Sequence, residues 1–185
     1  MITIIPSRNI VSNTLALGSK IHLQQPAACY KKLFCDFIAR NKSFHEPWVY
    51  VSSDPLYFDQ YLKRLKSGSS QGFFIFTNDD RQFVGVINLN NIKLEPFGSA
   101  SLGYYSEQSL CRNGYMKEAI RLVLGHAFNN IGLNRVEINV QPKNVASLEL
   151  AKSLGFSYEG FSRKYLQIND DYRDHERWVF LAEDF

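Results

Sequence analysis

Between residues 100 and 140 the spacing of apolar side chains changes from two to 3.6 and back to two, and this change constrains the fold more than any other feature of the chain. Ala100-Ser101-Leu102-Gly103-Tyr104-Tyr105 reads as a strand. After a polar loop, apolar residues recur at Met116, Ala119, Ile120, Val123, Leu124, Ala127, Phe128 and Ile131, one helical face that must be buried. Gly132 can cap that helix in the left-handed conformation while Leu133 packs back on its last turn. Arg135 to Val140 then alternates as a second strand. Strand, helix and strand in this order predict a right-handed parallel crossover. The loop before the helix leaves the first backbone N–H groups unpaired at the positive end of the helix dipole, where a phosphate is the natural guest. An ordinary crossover with an empty loop is about as common, so the unit alone specifies no ligand.

The next residues narrow the choice. Gln141-Pro142-Lys143-Asn144 leads into a second helix whose predicted N-cap is Asn144, which puts Ser147 at the third helical position. A hydroxyl in a first helical turn sits where the dipole stabilises an anion and can donate a hydrogen bond to it. Leu154-Gly155-Phe156 ends that helix with another glycine cap. Two helix N-termini, each following a strand, then face the carboxyl ends of neighbouring parallel strands, where open α/β sheets bind ligands.

The run Gly114-Tyr115-Met116-Lys117-Glu118-Ala119, then Asn139-Val140-Gln141-Pro142-Lys143-Asn144 with Ser147, Leu154-Gly155-Phe156, Glu159-Gly160, and Asn169, Tyr172, Asp174 and His175 resemble the GNAT superfamily of acetyl-CoA-dependent N-acetyltransferases. Phe44-His45-Glu46-Pro47-Trp48 and Gly85-Val86-Ile87-Asn88-Leu89 resemble its ribosomal-protein branch, the RimJ/RimL type, so the resemblance covers roughly residues 20 to 183. It implies an α/β fold of the α+β kind: a mixed, mostly antiparallel twisted sheet with helices on both faces and a splayed parallel strand pair. It also implies acetyl-CoA as co-substrate. One position departs from the family pattern. The cofactor loop usually carries two glycines, and here Arg112 replaces the first while Gly114 keeps the second. A side chain at 112 either crowds a pyrophosphate or grips it with its guanidinium.

The resemblance implies a division of labour. Pantetheine pairs along Tyr104 and Tyr105, and the pyrophosphate rests on the amides of Cys111, Arg112, Asn113, Gly114, Tyr115 and Met116, with Lys117 or Lys143 for the remaining phosphate. Asn139 and Asn144 hold the cofactor arm, and Ser147 stands near the thioester sulfur. Glu46 and Trp48 border the acceptor. Helix capping explains Asn144 and Ser147 equally well, and a lone tryptophan such as Trp48 more often anchors a loop in the core. Transfer to an amine also needs a proton acceptor, for which Glu159, Glu46 and His175 are the candidates. Relatives often carry an acid just before a Tyr-Leu pair, where this chain has Lys164 before Tyr165-Leu166.

At 185 residues and 45% hydrophobic content, the chain reads as one domain, 1–185, with ample core and an irregular N-terminal segment over residues 1–19. A net charge of +3 favours neither a nucleic-acid binder nor a membrane-surface protein. The three cysteines, Cys29, Cys35 and Cys111, lack metal-ligand spacing and point to a reducing cytoplasm, and no apolar run approaches membrane length. Pro26 opens a predicted helix to about Asn41, Asp54-Pro55 caps another, residues 72–77 and 82–90 read as a central hairpin, and residues 91–99 as a polar connection. After a strand at 158–161, a hairpin turns at Asn169-Asp170-Asp171. The expected activity is acetyl transfer from acetyl-CoA to a primary amine, foremost a protein N-terminal amine of the ribosomal-protein type. The alternatives are a polyamine or aminoglycoside acceptor, or an acyl-CoA sensor without turnover. A homodimer is compatible with the sequence.

Overall fold

The computed structural model describes residues 14–46 and 48–185. Its strands in chain order are β1 (Thr14–Leu17), β2 (Ile21–Gln24), β3 (Gln71–Thr77), β4 (Phe83–Lys93), β5 (Ser99–Ser106), β6 (Arg135–Val140), β7 (Ser157–Ile168) and β8 (Asp171–Leu181). Its α-helices are α1 (Lys31–Arg40), α2 (Lys42–His45), α3 (Pro55–Leu65), α4 (Tyr115–His126) and α5 (Val145–Leu154). The strands form one sheet in the order β1-β2-β3-β4-β5-β6-β8-β7, in which only the β5–β6 pair is parallel. This is the mixed, mostly antiparallel architecture that the resemblance implies.

Both faces of the sheet are covered, and β3 shows why it is a continuous apolar run instead of an alternating one. Phe73 and Ile75 join the core under α4 and α5, with Ile120, Val123, Leu124, Leu148 and Ala151. Phe74 and Phe76 point the other way into an aromatic core with Phe34 and Phe37 of α1 and Phe58 of α3. Each fully buried phenylalanine contributes about 1.5–3 kcal/mol, so these rings hold α1 and α3 to the sheet. Asp54 caps α3 by accepting from the Leu56 amide at 2.8 Å, with Pro55 in its first turn.

Several boundaries differ from expectation. Within the stretch read as irregular, Thr14–Leu17 forms an edge strand on β2, while residues 1–13 lie outside the described residues, as does Pro47. Phe44 and His45 belong to α2, not to a loop. The polar connection is shorter than predicted because β4 runs on to Lys93, pairing with Ser99. The strand at 158–161 and the first arm of the hairpin are one strand, β7, whose register on β8 shifts at two places. The crossover helix ends as α4, followed by a π-helical turn over Ala127–Ile131, and Gly132 closes it at φ 80°. The Leu133 amide donates back to the Ala127 carbonyl at 3.0 Å.

Candidate active site

The loop between β5 and α4 is built from its anchor outward. Glu107, buried just past β5, accepts from Arg40 Nε at 2.6 Å and from Asn41 Nδ2 at 3.1 Å, and its own amide donates to the Val84 carbonyl at 2.7 Å. Asn41 Oδ1 in turn accepts from the Gln108 amide at 2.9 Å. These bonds fix the loop's start to α1 and β4. Cys111 Sγ donates to the Glu107 carbonyl at 3.4 Å. Two residues then turn the chain into α4 in the left-handed conformation, Arg112 at φ 66° and Gly114 at φ 81°. Glycine takes that conformation freely, whereas for arginine it costs about 1–2 kcal/mol. No heavy atom lies within 4 Å of where a Cβ on Gly114 would stand, so the backbone there faces open space.

Beyond the loop, the parallel strands part. Ladder pairing between β5 and β6 covers only Ser99–Ser101 against Arg135–Glu137. From Leu102 and Ile138 onward β5 keeps its partner β4 and β6 keeps β8, but the two no longer pair with each other. A strand with a neighbour on one side only presents alternate N–H and C=O groups to whatever fills the gap. Gly85 of β4 pairs with Ser106 at the end of this stretch, and a Cβ there would stand 2.4 Å from the Tyr105 carbonyl oxygen, so only glycine fits.

Two cavities meet at the parting. One, of about 530 Å³, is lined by Cys111, Arg112, Gly114, Tyr115, Met116 and Lys117 of the loop and α4, with His45 and Leu150. The other, of about 590 Å³, is lined by Tyr57, Tyr61 and Arg64 of α3, by Asn88 and Asn90 of β4, and by Asn139, Gln141, Tyr165 and His175. Trp48, Val49, Tyr104, Tyr105, Asn144 and Ser147 belong to both linings.

At this common wall Asn144 caps α5, its Oδ1 accepting from the Ser147 amide at 3.2 Å. That leaves the Ser147 hydroxyl at the helix start, facing both cavities. Burial pushes the Tyr104 phenol up to about 12, with the adjacent Ser147 hydroxyl pulling the other way, so the phenol stays protonated at neutral pH. Tyr104 Oη is buried without a hydrogen-bond partner, and so is His45 Nδ1. His45 Nε2 donates to the Ser106 carbonyl at 2.8 Å, which leaves the lone pair on Nδ1. The Tyr105 ring packs against Phe37 and His45 in the aromatic core. Trp48 is held through its carbonyl, which accepts from Gln141 Nε2 at 3.1 Å.

Other expected residues stand elsewhere. Asn113 lines neither cavity; its Nδ2 folds back onto the Leu110 and Cys111 carbonyls at 3.2 and 3.4 Å. Asn139 lines the second cavity rather than the one beside the loop; its Nδ2 donates to Glu137 at 3.0 Å and its buried Oδ1 has no partner. Lys143 is exposed and lines neither cavity, whereas Lys117 lines the one at the loop. Glu46 is exposed, 3.7 Å from Lys42, and lines neither cavity. Its carbonyl accepts from Asn169 Nδ2 at 3.1 Å, which ties the β7–β8 hairpin to this segment.

Glu159, one of the three expected proton-acceptor candidates, stands away from the common wall. Both its oxygens are held by the Arg135 guanidinium, at 2.8 and 2.6 Å, and that bond keeps its carboxyl below the usual range, outside both cavities. His175 is the candidate that lines the second cavity. Its Nδ1 donates to the Arg173 carbonyl at 3.0 Å, so the basic lone pair is on Nε2. Burial lowers its pKa, opposed by that backbone bond and by Asp174, so the ring is neutral at pH 7.

Two cavities with one wall in common suit a transfer in which donor and acceptor arrive separately and meet at Tyr104 and Ser147. With the parted parallel strands and the open loop at the start of α4, this is the architecture of a GNAT acyltransferase. The chain belongs to that family: residues 27–157 match the acetyltransferase (GNAT) domain. It is 31% identical over 158 residues to the [ribosomal protein uS5]-alanine N-acetyltransferase of Escherichia coli K12, covering 81% of each chain. It is also 31% identical over 176 residues to the ribosomal-protein-serine acetyltransferase of the same organism, covering 89% of this chain and 94% of that one. Among solved structures, Mycobacterium smegmatis RimJ in complex with CoA-disulfide superposes with a TM-score of 0.83 at 23% identity, over 89% of this chain and 83% of that one.

The site residues fit the family's co-substrate, acetyl-CoA. The space where a Cβ on Gly114 would stand is open, β5 offers an unpaired edge, and Tyr104 Oη and His45 Nδ1 are buried polar atoms without partners in residues that line the cavity at the loop. Among the described residues no group of three or more His, Cys, Asp or Glu could hold a metal, and no helix is long and apolar enough to cross a membrane. Sequence reasoning named Tyr104 for its backbone and not its side chain, and did not single out Arg64, which lines the second cavity. Alternation on β5 could have set Tyr104 opposite Tyr105, and the helical spacing of Tyr57, Tyr61 and Arg64 could have flagged a common face.

Proposed function

We propose that the chain transfers an acetyl group from acetyl-CoA to the N-terminal amine of a protein. The observation that carries the choice of acceptor is the lining of the second cavity, which contains no Asp or Glu among the described residues. A polyamine or aminoglycoside would bring several positive charges into a wall of amides, hydroxyls, phenols and one guanidinium, with nothing to pair them. A single neutral amine on an extended peptide faces no such penalty, and Trp48, Tyr165 and Leu166 give its first side chains apolar surface. Two relatives are named for acetylating a ribosomal protein or its serine or alanine, which supports the same reading.

Acetyl-CoA, when bound, would supply an acetyl group on a thioester, whose carbon–sulfur bond breaks as the amide carbon–nitrogen bond forms; the amine's proton passes to His175 and on to solvent, and the thiolate takes a proton from solvent. The chain's residues supply the rest. The amides of residues 112 to 116, with Lys117, hold the diphosphate at the helix start. Arg112, exposed and lining this cavity, adds its guanidinium there. Ser147 Oγ and Tyr104 Oη donate hydrogen bonds to the charge that develops at the leaving group. Asn139 Oδ1 accepts from the amine and orients it. His175 Nε2 takes the amine's proton; an α-amine titrates near 7.7–8.0, within reach of an imidazole and far from an ion-paired carboxylate.

The test is release of free thiol from acetyl-CoA, measured against amino-terminal peptides and against spermidine and an aminoglycoside. Peptides are expected to turn over at least about 10-fold faster in kcat/KM than either polycation. A polycation that wins contradicts the acceptor class, and thiol release with none of them contradicts amine acetylation.

A further inference from the structure

Among the described residues the acceptor cavity has one fixed charge in its wall, and that charge has no ion-pair partner. Tyr57, Tyr61 and Arg64 recur at the spacing of one α3 face, and all three line the cavity. The Arg64 guanidinium lies 5.6 Å over the Tyr61 ring, and no carboxylate comes within ion-pair distance of it among the described residues. A cation in the last turn of a helix complements the dipole whatever it faces, which accounts for Lys63 and Arg64 alike. Only Arg64 of the two is turned to the cavity.

Position makes the charge useful. Tyr61 Oη donates to Asn88 Oδ1 at 2.8 Å, and Asn88 lies opposite Gly103 while Asn90 lies opposite Ser101. Arg64 is almost one helical turn beyond Tyr61, and Ser69, Ser70, Asn90, Asn91 and Ser101 line the same cavity. From Tyr104 back to Ser101 is about 10 Å at the rise of a strand, the length of about three residues of an extended peptide. Side-chain amides and hydroxyls thus share this cavity wall with the Arg64 guanidinium.

We propose that the acceptor is an acidic amino-terminal peptide, whose α-amine lies at the Tyr104–Ser147 wall and whose aspartate or glutamate about three residues along is held by Arg64. This rests on the reading that the acceptor is a protein N-terminus, and adds the side chain that the site selects. Arg64 is a specificity determinant, not a catalytic residue: it holds the peptide's side chain and not the reacting amine. Its exposure makes the pairing sensitive to salt.

The experiment uses the full chain, acetyl-CoA and a set of peptides identical except for Glu, Gln or Lys at the second, third or fourth position. Thiol release gives kcat/KM for wild type, Arg64→Gln and Arg64→Glu at low and high ionic strength. The expected result is an advantage of about 5–10-fold for Glu over Gln at the third or fourth position, carried mainly in KM. High salt shrinks it, Arg64→Gln abolishes it, and Arg64→Glu inverts the order so that Lys wins. Because α3 ends at Leu65 and Arg64 is exposed, both variants are expected to fold, and an unchanged helical circular-dichroism spectrum checks this. Equal rates with Glu, Gln and Lys in wild type, or a Glu preference that persists in Arg64→Glu, overturn the inference while peptide acetylation stands. Turnover of small amines with no peptide accepted removes the N-terminal reading, and this inference with it.

Discussion

Ser147 and His175 stand on different elements, α5 and β8, and in the proposed reaction they act on opposite ends of it: one steadies charge at sulfur, the other receives a proton from nitrogen. Their loss should therefore look different. Ser147→Ala removes a hydrogen bond to an anion, about 1.5–3 kcal/mol, so kcat should fall roughly 10- to 100-fold while CoA affinity by calorimetry changes by less than about 3-fold. The reverse pattern would reduce the serine to a capping residue. His175→Gln should lower kcat/KM by about 100-fold and alter its pH profile. Burial lowers the ring's pKa, so the base form is present at neutral pH and is lost only as pH falls below the ordinary histidine value of about 6.5. Wild type should show that acid limb, separate from the higher limb of the acceptor amine, and the variant should lack it. The position of Ser147 was legible by counting from a capping residue. The position of Glu159 was not: its place against Arg135 follows from β8 lying between β6 and β7, an order that no local pattern carries.

Elements present these residues through their ends. The start of α5 is set by Asn144, whose side chain holds the Ser147 amide and thereby the hydroxyl's orientation. Asn144→Ala should cost about 1 kcal/mol, lowering Tm by roughly 2–4 °C in a chain of this size, and should reduce kcat as well because Ser147 loses its fixed start. A drop in Tm with kcat unchanged would separate the cap from the chemistry. The elements that sequence reading placed well are those whose period is enforced by one buried face: β5, α4, β6 and α5. It missed β1, a four-residue edge strand that owes its conformation to pairing with β2 and has no clear alternation of its own. It cut β4 short for a related reason: at Asn91 and Lys93 the residue types suggest a loop, and the pairing of Lys93 with Ser99 of β5 overrides them. Nor did the sequence show how far β5 and β6 stay paired, since both strands alternate well past the last ladder pair, Ser101 with Glu137.

In the molecule as a whole, two cores on opposite faces of one sheet hold apart the elements that line the cavities. The core under α4 and α5 supports the loop and Ser147, and the aromatic core positions α3 with its stripe of Tyr57, Tyr61 and Arg64. In the proposed reaction donor and acceptor thus approach through separately supported walls and meet where β5 has parted from β6. The two cavities were beyond sequence reading because residues from five strands and several helices build them, while the helix-start signals that pointed to phosphate were local. The central claim, that the amides after Cys111 grip a diphosphate whose arm runs along β5 to Ser147, is tested most directly by hydrogen–deuterium exchange with and without saturating CoA. Exchange should slow at residues 112 to 117, along 102 to 106 and at 144 to 148, and stay unchanged in the β7–β8 hairpin. Saturating CoA that leaves residues 112 to 117 exchanging as before would contradict the account.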